Sequence, residues 1–390
     1  MALNNRLSDS KLKGKAGLAF VCFYFIVILM LDVFPFLGGQ QGLLDFGSFY
    51  ASGRQIRNGE NPYSPDSEYV WKFNFPRVGA GGKMINLNPP ITAMIFGMIA
   101  RSDPDQALKM WRAVSAILYT GLIFVLAAVN KRNITPAIFI WSFTLVGFWQ
   151  TLTLGQIYVF LLLFIILGWV SINRKKYILA GVAIGLVVAI KPNFIIWPIF
   201  LLVSGYSVTF LASVLSSLLI SLIPVLFHGI QIYKQWLEAS ALHIETLILP
   251  GNSSILGLTA RFHQITAGIV ISIILVCTLL YFSKQKTSGR MEYSEHISAL
   301  GIIASILASP ISWAGYTIFL LPIFFSLKKW TYPVILSAAI LSIPFGFILK
   351  LWQTSFLNFV IFGWFYGWGI LFLLGAVVKN TMMTSSIQTN

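Results

Sequence analysis

Of the 390 residues, 57% are hydrophobic and only 10% charged, and the net charge is +15, whereas a soluble globular domain carries about a quarter charged residues. Apolar runs of roughly 20 residues recur from end to end, each long enough to cross ~30 Å of hydrocarbon. They are continuous rather than alternating, which excludes a β-barrel. The Lys and Arg residues are spread over short loops between these runs and not gathered in one patch, which excludes a nucleic-acid partner.

The basic N-terminus (Arg6, Lys11, Lys13, Lys15) precedes an apolar run too long for the core of a cleavable signal peptide, and reads as a first span with its N-terminus inside. The sequence predicts an all-α polytopic membrane protein of about twelve transmembrane helices forming one integral domain over 1–390. The spans fall at roughly 16–37, 105–129, 135–150, 156–172, 177–191, 192–204, 207–227, 264–282, 297–309, 311–327, 331–349 and 357–378. Lys131 with Arg132, the Asn173–Lys176 stretch, Lys284 to Arg290, Lys328 with Lys329, and Lys379 then occupy alternate loops, all inside, so both termini are expected in the cytoplasm. The run from Asn88 to Ala100 begins with two prolines and is too short to cross. It reads as a re-entrant half-helix.

This topology puts a first loop, 38–104, and a second large loop, 228–263, on the outer face. In the first, Phe46, Phe49, Tyr50 and Ile56 on one side and Arg54 and Arg57 on the other predict an amphipathic helix lying flat on the membrane surface, with Gly59 just past its end. Asp45 falls at its start. A helix N-cap and a general base at the lipid–water boundary would both occupy that position. Asn61-Pro62-Tyr63 predicts a rigid turn, with Tyr63 an interfacial anchor or a ligand contact.

Further along, Gln156 opens a span, as packing glue between helices or as a binding residue. Lys191 closes an apolar run next to Pro192 on the outer side, against the charge bias, either snorkelling to the interface or pairing with a phosphate or an acid. In the second loop a turn at Pro250-Gly251 leads to a helix capped near Asn252, with Arg261 at its far end. Asn252-Ser253-Ser254 is a glycosylation sequon that matters only in a eukaryotic secretory setting. The Ser309–Trp313 corner breaks an apolar stretch at Pro310 and brings Trp313 and Tyr316 to the outer surface. One acid, several bases and several aromatics on one face fit a lipid-linked phosphate: its tail needs a membrane groove, its phosphate a cation, its reaction a base.

These motifs, in order, are Asp45-Phe46 with Phe49-Tyr50, Gly59 with Asn61-Pro62-Tyr63, Asn88-Pro89-Pro90, Trp111, Leu154-Gly155-Gln156, Ala180-Gly181 through Lys191-Pro192, Asn252-Ser253-Ser254, Ala260-Arg261 and the Ser309–Trp313 corner. From about Leu44 to Pro322 their order resembles glycosyltransferase family 87, polyprenol-phosphate-mannose-dependent α-mannosyltransferases of the C-type superfamily. The resemblance implies an inverting hexosyl transfer, in the first instance of mannose, from a polyprenyl-phosphate donor to a lipid or glycan acceptor on the non-cytoplasmic side of a bacterial plasma membrane. It makes Asp45 the base, and Lys191 and Arg261 the phosphate clamp with Arg54 or Arg57. Tyr50, Asn61, Tyr63, Gln156, Asn252, Ser309, Trp313 and Tyr316 become sugar or acceptor contacts. No cofactor or metal is implied, because protein cations stabilise the leaving phosphate. Many relatives carry a histidine just after the corner, where this chain has Ala314, Gly315 and Tyr316. The competing expectation, a flippase for a lipid-linked sugar, requires polar residues through the midplane. The span interiors carry almost none, Asp32 near the outer end of the first span being the exception.

Overall fold

The computed structural model describes residues 43–386 apart from 66, 76–79, 132–134, 242–243, 285–290 and 353, with scattered positions between 19 and 30. The expected first span at 16–37 therefore lies largely outside the described residues, and Asp32 and Arg132 wholly so.

Helix α1 (Leu44–Arg57) leads to a two-stranded antiparallel hairpin, β1 (Lys72–Phe75) and β2 (Ala80–Lys83), and then to α2 (Pro90–Ile99). The chain continues through α3 (Pro104–Val129), α4 (Pro136–Ser142), α5 (Val146–Leu154), α6 (Tyr158–Asn173) and α7 (Tyr177–Ile190). A 3₁₀ turn at Pro192–Ile195 precedes α8 (Ile196–Val203), α9 (Ser207–His228) and α10 (Gln231–Ala241). After them come α11 (Ile255–Ala260), α12 (Ile265–Lys284), α13 (Met291–Leu307), a 3₁₀ stretch Ala314–Leu320 and α14 (Leu321–Ser326). The chain closes with α15 (Tyr332–Ile340), α16 (Phe345–Leu351), α17 (Phe356–Ile361) and α18 (Phe365–Ser386).

By length and composition α3, α9 and α12 can cross a membrane, and the count rises to five if each of two bent pairs is one span. The stretches 135–150 and 331–349, each expected to be one span, are those pairs: α4 and α5 meet at 43°, α15 and α16 at 78°. Pro344, immediately before α16, stops the helix ahead of it from continuing straight. Helix α9 exposes Leu211, Leu215, Leu218, Leu222 and Leu226, and α12 exposes Ile269, Ile273 and Ile274. Leucine and isoleucine faces of this extent suit hydrocarbon rather than water. The packed interior lies on α6 and α13, where Leu161, Leu162, Ile165, Ile302, Ile303 and Ile306 are fully buried.

Helix α1 differs from expectation in its surroundings. Leu44, Phe46 to Gly53 and Ile56 are buried, so its apolar face rests on protein and not flat on lipid. Its main neighbour is α2, and the approach is so close that a Cβ on Gly53 would meet the Phe96 carbonyl carbon at 2.4 Å. Its C-terminus is as expected: Gly59 is left-handed at φ +76°, Gly59 N–H donates to Ile56 O and Glu60 N–H to Gln55 O, a Schellman closure. Helix α2 has 10 residues, roughly 15 Å of helix, half of what a crossing needs.

Candidate functional site

Asp45 does not cap α1. The N-cap residue is Leu43, no side chain caps it, and Asp45 is the second helical residue. Its carboxylate instead accepts a hydrogen bond from Gln156 Nε2 at 2.5 Å. Gln156 follows Gly155, whose left-handed φ of +67° closes α5. Burial pushes the Asp45 carboxyl up to about 6, against the opposing pulls of the Gln156 amide and the Lys191 ammonium. The residue keeps partial exposure through a cavity of about 140 Å³ lined also by Trp71, Met84, Gln150, Leu249, Trp313 and Phe345.

Lys191 is the C-cap of α7, and Pro192 starts the 3₁₀ turn after it, as the sequence suggested. Its Nζ stands 5.2 Å from the Tyr158 ring centre and 5.1 Å from that of Tyr316. These two rings meet edge to face at 5.1 Å, forming an aromatic corner that holds the cation without neutralising it. Asp45, Gln156, Lys191 and Tyr316 are thus brought together, and Trp313 shares the cavity with Asp45.

The other candidate residues have structural partners. Arg261 is 2% exposed; its Nη1 donates to Gly257 O and its Nη2 to Leu249 O and Gly363 O, at 2.7–2.8 Å. Burial lowers its pKa to about 9, which leaves it protonated at neutral pH. With its Nη1 and Nη2 committed to backbone, this guanidinium braces the Leu249–Gly251 cavity wall rather than standing open to a phosphate. Arg57 Nη1 donates to Ala100 O at the C-terminus of α2. Arg54 Nη1 donates to the Tyr69 hydroxyl. The Tyr50 hydroxyl donates to Ser102 O, and Tyr63, buried and not an interfacial anchor, donates to Asn88 O. Asn61 Oδ1 accepts from Tyr63 N–H in a local turn.

Asn252 is fully buried. Its Nδ2 donates to Leu247 O, and its Oδ1 accepts from Ser254 N–H and Ser312 N–H. It stitches the loop before α11 to the Ser309–Trp313 corner and has no accessible amide for a glycan. The cap of α11 is Ser254, whose Oγ accepts from Gly257 N–H. Ser309 Oγ donates to Ile311 O within the corner.

Sequence reasoning passed over Tyr158 and Gln150, and also the hairpin whose ends carry Trp71 and Met84. A lone Tyr at the start of a helix, or a lone Gln in the middle of one, carries no local signal. The chain does carry one Asp-x-Asp, Asp103-Pro104-Asp105, the spelling found in metal-dependent transferases. Asp103 is the N-cap of α3, with Oδ1 accepting from Asp105 N–H and Gln106 N–H. Among the described residues, no three His, Cys, Asp or Glu side chains gather closely enough to hold a metal.

The site thus combines a half-buried acid that opens on an aromatic-lined cavity with a lysine close enough to act on that acid electrostatically. A family model, Glycosyltransferase family 87, matches residues 86–327, and the chain belongs to that family. No curated protein and no solved structure matches it. The matched stretch begins after Asp45 but contains Gln156 and Lys191.

Proposed function

We propose that this glycosyltransferase is inverting and moves a hexose, mannose in the first instance, from a polyprenyl-phosphate donor to a hydroxyl of a lipid or glycan acceptor. The observation that carries the reading is the pairing of Asp45 with Lys191: an acid held near neutral pKa, with a cation in an aromatic corner beside it. In the reaction the acceptor hydroxyl gives its proton to Asp45 while its oxygen bonds the anomeric carbon. The bond from that carbon to the phosphate oxygen breaks on the opposite face, and Lys191 stabilises the departing phosphate charge. Trp313 and Trp71 offer flat apolar surface for the sugar or its carrier.

In this reading about twelve spans place both termini in the cytoplasm of a bacterial cell, α2 is a re-entrant half-helix, and Asp45 works on the outer face of the plasma membrane. The basic loops on alternate connections support it. The test is transfer from radiolabelled polyprenyl-phosphate mannose by the purified protein in detergent. Product formation there, where there is no second leaflet, rules out pure transport of a lipid-linked sugar. Asp45→Asn should lower turnover by at least ~10²-fold while the protein remains folded and donor-bound. Near-native turnover of that variant would sink the base assignment.

A further inference from the structure

Gln156 was expected to touch sugar or acceptor, but its amide reaches Asp45. Nε2 donates to Asp45 Oδ2, and Oε1 is buried with no hydrogen-bond partner among the described residues. Turning the amide over would set that oxygen against the carboxylate, so the orientation in place is the one the acid selects. An amide that leaves its own oxygen unpaired in order to hold a carboxylate is poor structural glue. It is well suited to fixing the direction of that carboxylate.

The turn that presents Gln156 is held from α3. Trp111 Nε1 donates to Gln156 O at 3.3 Å. The adjacent Arg112 donates from Nε to Leu152 O and from Nη2 to Thr153 O, both at 2.8 Å, so a cation meets the C-terminal carbonyls of α5. The Trp111 ring also stacks on Phe160 at 4.6 Å and stands 6.4 Å from Phe46, the residue after Asp45. Two consecutive α3 side chains thus fix both the donor's turn and the helix start that carries the acceptor.

We propose that Gln156 is a positioning residue for Asp45, held in place by Trp111 and Arg112: it occupies Oδ2, leaves Oδ1 to take the acceptor's proton, and keeps the acid ionised. This rests on the reading of Asp45 as the base. The charged and titratable groups that bear on the carboxylate are Lys191 from the end of α7 and Tyr158 from the start of α6. Neither changes in the variants used to test the proposal.

The experiment measures kcat and KM against pH for the purified full chain with polyprenyl-phosphate mannose, comparing wild type with Gln156→Met and Trp111→Phe. Methionine keeps the length and removes the donor; phenylalanine keeps an aromatic ring and removes the indole N–H. The acidic limb should move to higher pH by about one unit in Gln156→Met and by less in Trp111→Phe. Turnover at pH 6 should fall about tenfold in Gln156→Met and recover in part at pH 8, with donor KM within about twofold of wild type. A limb that stays in place in both variants, or a loss carried wholly by donor KM, overturns the proposal. If Gln156→Met does not fold, the limb of Trp111→Phe decides. Asp45→Asn separates the two readings. If it is active, the base assignment has failed. If it is inactive while both limbs are unmoved, only the positioning role has failed.

Discussion

The Lys191 ammonium stands 5.1 Å from the centre of the Tyr316 ring and 5.2 Å from that of the adjoining Tyr158 ring. The ring faces hold the cation without neutralising it, so it can still meet an incoming anion. Removing one ring should therefore weaken anion capture without touching the base. Tyr316→Leu is expected to raise the donor KM about fivefold, from a cation–π loss of roughly 1 kcal/mol, with kcat nearly constant; Tyr316→Phe should match wild type. Steady-state kinetics with varied donor checks both. A large kcat effect in Tyr316→Phe would give the hydroxyl, not the ring face, the functional part.

Asp45 sets a pH dependence whose sign is fixed by its environment. Its carboxyl is raised to about 6 by burial, so it is protonated, and inactive as a base, below that value. Activity should rise as pH climbs through about 6 and level off above it. Stability runs the other way: a folded-state pKa above the unfolded one favours the native state while the acid is neutral. That contribution is fully present below the unfolded value near 4 and is lost as pH rises through 6. Thermal unfolding in detergent from pH 4 to 8 should show Asp45→Asn losing part of the wild type's decline in melting temperature over this window. Identical slopes in the two proteins would mean that burial does not raise the pKa of the acid in the fold.

What could be read from the sequence was what local chemistry decides. Gly59 past α1 and the Lys191-Pro192 break after α7 follow from the conformations that glycine and proline permit, and both are present. The contact between Gln156 and Asp45 spans 111 positions, and no local pattern encodes it. The Trp71–Met84 hairpin was hidden because its second strand is Ala-Gly-Gly-Lys, a poor strand sequence by propensity. Arg261 misled for a related reason: a basic residue at the end of a loop helix looks the same whether it faces a phosphate or three carbonyls. The bends inside 135–150 and 331–349 leave no trace in hydropathy, which averages over a break of a few residues.

Arg261 now carries a different expectation from that of a phosphate clamp. Arg261→Met leaves the carbonyls of Gly257, Leu249 and Gly363 without this donor in a buried place, at a cost on the order of 3 kcal/mol. The expected result is a lower melting temperature and poorer yield, with the donor KM of the surviving folded protein close to wild type. Lysine should not rescue it, because a single ammonium cannot reproduce the planar fork that reaches three carbonyls. A selective rise in donor KM at unchanged melting temperature would restore the guanidinium to the phosphate site.

Gly155 and Gly59 form a matched pair that separates backbone strain from steric clash. Both hold a left-handed φ, +67° and +76°, so alanine at either costs about 1 kcal/mol of strain. At Gly59 a Cβ would meet nothing within 4 Å, whereas at Gly155 it would meet Phe46 Cβ at 2.6 Å and Leu108 Cδ1 at 3.0 Å. Gly59→Ala should therefore lower the melting temperature slightly and leave transfer intact. Gly155→Ala should cost roughly 2 kcal/mol or more. Because the clash pushes on Phe46, next to Asp45, while Gln156 is the following residue, the same variant should also reduce kcat. Its acidic limb should shift upward as the amide–carboxylate contact loosens. Equal behaviour of the two alanine variants would show that the Gly155 turn can relax without disturbing the acid.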